Sequence, residues 1–317
     1  MAVITTVIPV YNGEPHITEA LYSLARQRRR PDRVVVLDNC STDRTREMVT
    51  GFKGLRCEYR LNERNLGLFG NHNRALELAA ETDYLHFLHT DDVLLPDFCA
   101  RTIEMLNNVE GRGMSWCQAE FIDERGEPLP PIIPPISGSP ERVSLDDFLK
   151  ERTQLRADIF VSGTMIKTNR QPIPCRFRED FKQVGDHFFW AEWASCCAGR
   201  LRVREVLLKY RSHPLSGTTF NQTNLDVFVQ EDWKVIEGVE AMRGKTGLAH
   251  WLQMQKLKCF FAALVHVKMR QVHERSPQYA RQVAMAGRAL SGMPHWWLGK
   301  TAFQLREQLR TLHRQQD

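Results

Sequence analysis

The stretch "YLHFLHTDDVLLPDF", residues 84 to 98, sets two adjacent carboxylates, Asp91 and Asp92, directly after an apolar run, with His89 two places before the first. Adjacent like charges repel unless something uses them. Hard divalent cations such as Mg²⁺ and Mn²⁺ prefer oxygen ligands, and one or two carboxylates suffice when water and phosphate complete the shell. A surface turn with solvated carboxylates is the plain alternative. Asp38 closes a second apolar run, "RVVVLD", where a lone Asp before "NCSTD" is usually a turn former or helix cap. Asp186, in "QVGDHFFWAEW", follows a glycine that lets the chain turn and precedes aromatics that can wall off water. A carboxylate so placed can take a proton from a reacting hydroxyl, and Glu179 and Asp180 in "FREDF" are its rivals. In "YRSHPLSGT", Arg211 suits phosphate oxygens, while His213 can ligate a metal, donate a hydrogen bond or be a satisfied structural residue.

The elements that must position these groups follow from hydrophobic periodicity. "AVITTVIPV" reads as a buried strand, ended by the Asn12-Gly13 turn, and Ile17, Leu21 and Leu24 recur at helical spacing after it. "DRVVVLDNCSTD" repeats the plan, with a Ser/Thr/Asp helix start before "RTREMV". "LRCEYRLNE" is a strand, "LFGNHNRALELAA" a helix and "DYLHFLH" a strand. Such alternation, with near-continuous apolar strands, argues for an α/β fold whose parallel sheet is covered on both faces. Ligands on these sheets bind beyond the strand C-termini, where Tyr11-Asn12, Asp38-Asn39 and Asp91-Asp92 all fall. Beyond residue 109 the rhythm breaks. "GEPLPPIIPPISGSPERV" holds six prolines and reads as a long surface loop without regular structure. The chain thus divides into residues 1–108, 109–218 and a mainly helical 219–317.

Of the 317 residues, 42% are hydrophobic and 26% charged, as in an ordinary globular protein, and the net charge of +5 is too mild to name a partner. Residues 250–317 carry eleven Lys/Arg against three Asp/Glu, a balance of +8. A solvated helical face is the plain reading. A basic surface resting on anionic lipid, helped by Trp296-Trp297, is the sharper one. The opening lacks a basic leader and a cleavage site and reads as a strand, and "CFFAALVHV" falls far short of the roughly 20 residues that span a bilayer. The eight cysteines form no CxxC pair, so reduced thiols, mostly in the core, and a cytoplasmic location are expected.

Together, "VIPVYNGEPHITEALYSLARQ", "VVVLDNCSTDRT", "NLGLFGNHNRALELA" and "YLHFLHTDDVLLPD" have the order and spacing of the family 2 glycosyltransferases, over residues 3 to 98. The likeness resumes more loosely at "VGDHFFW" and "LLKYRSHPLSGT" and leaves the C-terminal hundred residues uncovered. The resemblance implies the GT-A fold, a Rossmann-like mixed sheet covered by helices, here with a helical C-terminal extension. It implies a metal-dependent, inverting transfer of sugar from a nucleotide-sugar, expected to be UDP-linked. The acceptor would be a hydroxyl of a glycan or lipid-linked glycan, as in polysaccharide or lipopolysaccharide biosynthesis. On this reading residues 1–108 bind the donor and 109–218 supply the acceptor face and base. Pro9, Tyr11, Asn12, Asp38, Asn73, Asp91 and Arg211 would serve the donor. Asp92 and His213 would serve a manganese or magnesium ion, and Asp186 would be the general base. The loop 214–222 would be a lid. Nucleic acid is not an expected partner, and membrane contact would be peripheral, at the inner face.

The sequence departs from the family pattern twice. His89 stands where the acidic run usually starts with an acid, and His72, in Asn71-His72-Asn73, replaces an arginine. A dehydrogenase is disfavoured because no GxGxxG follows the first strand. A nucleotidyltransferase would want a Gly-rich basic loop where "PVYNGEPH" stands. A non-catalytic carbohydrate or nucleic-acid binder using the basic C-terminal region is the rival from another class.

Overall fold

The computed structural model describes residues 2–131, 136–156, 158–213, 225–273 and 276–314. The chain forms two units: Met1–Phe148, Arg156–Asp180 and Phe188–Ser216 make the first, and Leu149–Leu155, Phe181–His187 and Gly217–Asp317 the second.

In the first unit, strand β1 (Ile4–Val10) leads to α1 (Ile17–Ala25), β2 (Arg33–Asp38) to α2 (Thr45–Gly51), β3 (Cys57–Leu61) to α3 (Gly67–Leu76), and β4 (Tyr84–Phe87) follows a 3-10 turn. The chain continues through β5 (Val93–Leu94), α4 (Phe98–Asn107), β6 (Gly113–Ile122), β7 (Pro128–Leu129), β8 (Glu141–Arg142), α5 (Leu145–Thr153), β9 (Thr164–Lys167), α6 (Gly185–Ser195) and β10 (Gly199–Arg211), with α5 from Leu149 and α6 up to His187 counted in the second unit. Ten strands join one sheet in the order β3-β2-β1-β4-β9-β6-β10-β5, with β7 on β6 and β8 on β10. The pairs β2·β3, β1·β2, β1·β4 and β6·β10 are parallel, and β9 and β5 run antiparallel to their neighbours. The sheet is therefore mixed, where alternation alone suggests a parallel one. The proline-rich stretch, read as free of regular structure, contributes the two-residue strands β7 and β8 at its ends.

The apolar runs form strands because both faces are covered. Val7, Ile8, Val35 and Val36 are fully buried, and Ile17, Leu21 and Leu24 pack from α1. At about 25 cal/mol per Å² of buried apolar surface, each such side chain contributes roughly 1.5–3 kcal/mol. Asn12 has φ 54°, and a Cβ on Gly13 would lie 2.6 Å from Val10, so the Asn-Gly pair is what lets the chain turn tightly off β1. All eight cysteines are free, but only Cys99, Cys117 and Cys197 are buried, so the expectation of mostly core thiols holds for a minority.

The second unit contains α7 (Leu225–Met242), α8 (Gly247–His273), α9 (Pro277–Ser291) and α10 (Met293–Arg314). Its core holds Val229, Trp233, Ile236, Phe261, Val265, Val283 and Trp296. A Cβ on Gly299 would stand 2.5 Å from Ala262, so α10 and α8 approach through small residues. Among the described residues no helix is long and apolar enough to cross a membrane.

His86 is the polar group most deeply set in β4. It is fully buried between Thr6 Oγ1, 3.2 Å from Nδ1, and the Ser162 carbonyl, 2.9 Å from Nε2. Burial pushes its pKa down to about 4. The unfolded chain therefore binds a proton that the folded chain refuses, and stability present above pH 6.5 is lost as pH falls towards 4. For this residue alone the loss is about 2 kcal/mol by pH 5. Urea unfolding at pH 7 and pH 5 should show this drop, and His86→Gln should show a smaller one.

Candidate functional site

Parallel register brings the polar strand ends to one rim. Val10 on β1 pairs with Asp38 on β2, Asp38 pairs with Leu61 on β3, and Val7 pairs with Phe87 on β4. Asn39 N–H donates to the Val10 carbonyl and Leu88 N–H to the Val7 carbonyl, extending the ladder to the loops. Asp38 is 1% exposed and accepts from Ser41 N–H at 2.7 Å and from the Tyr59 hydroxyl at 2.5 Å. Burial, then the hydrogen bond to Asp38 and its charge, push the Tyr59 phenol upward, so it remains a donor. Tyr11 is 54% exposed at the end of β1, an open ring beside this carboxylate's strand. Asn12 accepts from Thr42 N–H at 2.8 Å and donates its own N–H to Ser41 Oγ at 2.9 Å, lacing the first two loops together. Pro9, paired with Leu37, is half-buried within β1.

The carboxylate pair is reached from the other half of the sheet by two antiparallel registers. On β4·β9, His86 pairs with Met165, so the same register carried on sets His89 against Ser162. Ser162 Oγ accepts from His89 N–H at 3.0 Å and donates to Asp92 Oδ2 at 2.5 Å. On β5·β10, Val93 pairs with Lys209, which sets Asp91 against Arg211. Arg211 N–H donates to Asp92 Oδ1 at 3.1 Å and its Nε donates to the Asp91 carbonyl at 2.9 Å. The rest of this guanidinium, 2% exposed, serves the Asp123 and Glu124 carbonyls and the Glu19 carboxylate. Arg211 thus acts as the pin of the loop, with its donors on protein acceptors.

The two carboxylates have opposite electrostatics. Burial first, then the Asp91 charge, raise the Asp92 carboxyl well above its ordinary value, against the hydrogen bonds from Ser162 and Arg211. Burial also acts to raise Asp91, but the His213 hydrogen bond and the neighbouring His89 outweigh it and hold Asp91 below the ordinary value. His213 Nε2 lies 3.1 Å from Asp91 Oδ2, and its ring centroid is 5.2 Å from that of His16.

The other expected residues have settings of their own. Asn73 places its amide on the Phe177 backbone, donating to the carbonyl and accepting from the N–H at 2.8 Å each, and also donates to Glu179. Asp180 pairs with Arg178 at 2.7 Å. Asp186 stands in the first turn of α6, within the segment 181–187 of the second unit. There Glu231, 3% exposed, accepts from the N–H groups of Lys182, Gln183 and Val184 at 2.6, 2.9 and 3.1 Å. That cup fixes the chain just before Asp186. The lid expected at 214–222 lies outside the described residues. Ser162, Tyr59 and Glu231 carry no sequence signal of their role. Only strand register and tertiary contact reveal them.

One ligand atom from each of His89, Asp91 and Asp92 lies within 4.8 Å of the others, the one such grouping among the described residues. Donors about 2.1 Å from a common ion stand at most about 4.2 Å apart, so small rotations suffice to close on one. Each carboxylate oxygen has lone pairs beyond the hydrogen bond it accepts. The donor set therefore fits a divalent cation, with two hard oxygens and one imidazole nitrogen.

The profile of Glycosyl transferase family 2 matches residues 5–173. An uncharacterized glycosyltransferase of Methanocaldococcus jannaschii is 25% identical over 219 residues, 66% of this chain and 70% of that protein. The crystal structure of S. aureus TarS 1-349 in complex with UDP-GlcNAc superposes with TM-score 0.59 at 16% identity, over 95% of this chain and 92% of that one. The mannosyltransferase PcManGT of Pyrobaculum calidifontis, in complex with GDP-Man and Mn²⁺, superposes with TM-score 0.53 at 16% identity, over 98% and 87%. At these identities the superpositions show the fold, which is that of GT-A transferases.

Ser162→Ala removes the hydroxyl that holds both Asp92 and the His89 backbone. Mn²⁺ affinity, read by calorimetry, should weaken about 10-fold or more, while circular dichroism stays unchanged.

Proposed function

The chain belongs to Glycosyl transferase family 2, and from that premise we propose that it moves a sugar from a UDP-linked donor to a hydroxyl of a glycan or lipid-linked glycan. The setting is the assembly of a cell-surface polysaccharide or lipopolysaccharide. The observation that carries this reading is the shared rim. Asp38 and the His89, Asp91, Asp92 group close strands β2 and β4, which are separated only by β1.

Asp38 is set to accept an imide N–H from the base, and Tyr11 offers its exposed ring for stacking, with Pro9 and Asn12 shaping the backbone beside it. Asp92, deep in the rim, presents the lone pairs that Ser162 and Arg211 leave it. Asp91, with 26% of its side chain exposed, faces outward to the ribose or to water on the ion, with His213 beside it. A divalent cation, Mn²⁺ or Mg²⁺, would neutralise the departing diphosphate. Arg211 and Asn73 serve the donor indirectly, by holding the loops on which it rests. Asp186 takes the acceptor proton as the hydroxyl attacks the anomeric carbon, and direct displacement inverts that carbon.

Asp186→Asn should lower kcat about 10²-fold or more while leaving Mn²⁺-dependent UDP binding intact. Asp92→Ala should abolish the metal dependence of that binding. Unchanged turnover in the first variant would remove Asp186 as the base. A panel of UDP- and GDP-sugars with Mn²⁺ or Mg²⁺ names the donor.

Peripheral membrane contact completes the reading. At the start of α10, Trp297 and Leu298 are 55% and 60% exposed, and the Lys300 ammonium lies 5.2 Å from the Trp297 ring centroid. An aromatic with a cation beside it suits the headgroup level of an anionic bilayer. Sedimentation with anionic vesicles should exceed that with neutral ones, and Trp297→Ala with Lys300→Glu should lower it. Equal sedimentation with both vesicle types would remove the membrane from the reading.

A further inference from the structure

The two positions at which the sequence departs from its family pattern touch each other. His72, on α3, and His89, after β4, place their Nε2 atoms 3.0 Å apart. Two ring nitrogens can hydrogen-bond only when one carries a proton and the other a lone pair. The Leu68 carbonyl decides which. It lies 2.8 Å from His72 Nδ1, and a carbonyl only accepts, so the His72 proton is on Nδ1 and its lone pair on Nε2. His89 must then donate from Nε2, and the lone pair of its neutral ring is on Nδ1.

The surroundings of His72 make this assignment firm. The ring is 2% exposed, stacked on Phe87 with centroids 5.8 Å apart and planes 11° from parallel, and flanked by the edges of Phe177 and Phe69. Turning it over would set carbon atoms against both polar partners. A charged ring enclosed by three aromatic side chains would be costly, so it serves as a neutral acceptor. Metal-ligating histidines commonly donate their second ring N–H to such an acceptor, which fixes tautomer and ring orientation. Meanwhile one ligand atom of His89 lies within 4.8 Å of those of Asp91 and Asp92.

We infer that His89 is a nitrogen ligand of the cation site, through Nδ1, and that His72 is the positioning residue that holds it there. This rests on the proposed cation site and adds its donor chemistry. Two consequences follow. Imidazole suits later first-row metals better than Mg²⁺, which takes oxygen in a strict octahedron, so the site favours Mn²⁺ over Mg²⁺. A neutral ring in place of a third carboxylate also leaves the bound ion one unit more positive towards a diphosphate.

The test uses the full chain with UDP and either Mn²⁺ or Mg²⁺, with no acceptor and no turnover. Pulsed EPR of the Mn²⁺ complex should show coupling to an imidazole nitrogen. His89→Ala should lose that coupling, whereas His213→Ala, which removes the other imidazole beside Asp91, should keep it. Calorimetry on His89→Ala should show Mn²⁺ affinity falling about 10- to 100-fold and Mg²⁺ affinity falling less. His72→Ala should weaken Mn²⁺ binding similarly, and His72→Gln, whose amide oxygen can still accept, should recover part of it. Thermal unfolding of each variant identifies a loss due to misfolding, which would lower both metals equally. If wild type binds Mn²⁺ without nitrogen coupling, or if the coupling survives His89→Ala, the inference falls and the cation site stands. If wild type binds neither ion, both fall.

Discussion

The buried carboxylate of Asp92 is the point on which the rim depends. A carboxylate 1% exposed is costly to keep without partners. Its two partners come from two different strands: the Ser162 hydroxyl from the turn before β9, and the Arg211 N–H from the end of β10. Antiparallel neighbours are needed for this. A wholly parallel sheet would bring no strand back along β4 to deliver Ser162, and none along β5 to deliver Arg211. The change from parallel to antiparallel pairing across the sheet is therefore what encloses the acidic loop.

Arg211 extends the same constraint outward. Its guanidinium satisfies the carbonyls of Asp91, Asp123 and Glu124 together with the Glu19 carboxylate. Four of the five donors in one rigid fork join the acidic loop, the turn after β6 and the first helix. A basic residue beside an acidic loop at the strand ends invites assignment to a phosphate. Here burial and four protein acceptors give it the task of holding the acidic loop in place. Asn73 is a parallel case, since its amide replaces a missing ladder partner for Phe177.

The second unit uses the same device in another place. Glu231 gathers three consecutive backbone N–H groups ahead of α6, as an N-terminal capping group does, although it comes from a distant helix. The beginning of the helix that carries Asp186 is thereby set by side chains of α7, while the carboxylate pair is set by strand register in the first unit.

Sequence alone determined β1 to β4 and the helices between them, because continuous valine-rich runs and helical spacing at Ile17, Leu21 and Leu24 are local signals. It also determined that polar clusters end those strands, since a carboxylate after a buried run leaves few other readings. It could not determine which of those polar groups are free to meet a ligand. Asn73 and Arg211 look like Asp38 as candidate contacts in one dimension, yet they are taken up by hydrogen-bond partners 104 and up to 192 residues away. The two-residue strands, the antiparallel return of β9 and the meeting of His72 with His89 likewise have no local signature. They arise from pairings between distant segments, and the tautomer of one histidine is dictated by the carbonyl bonded to another.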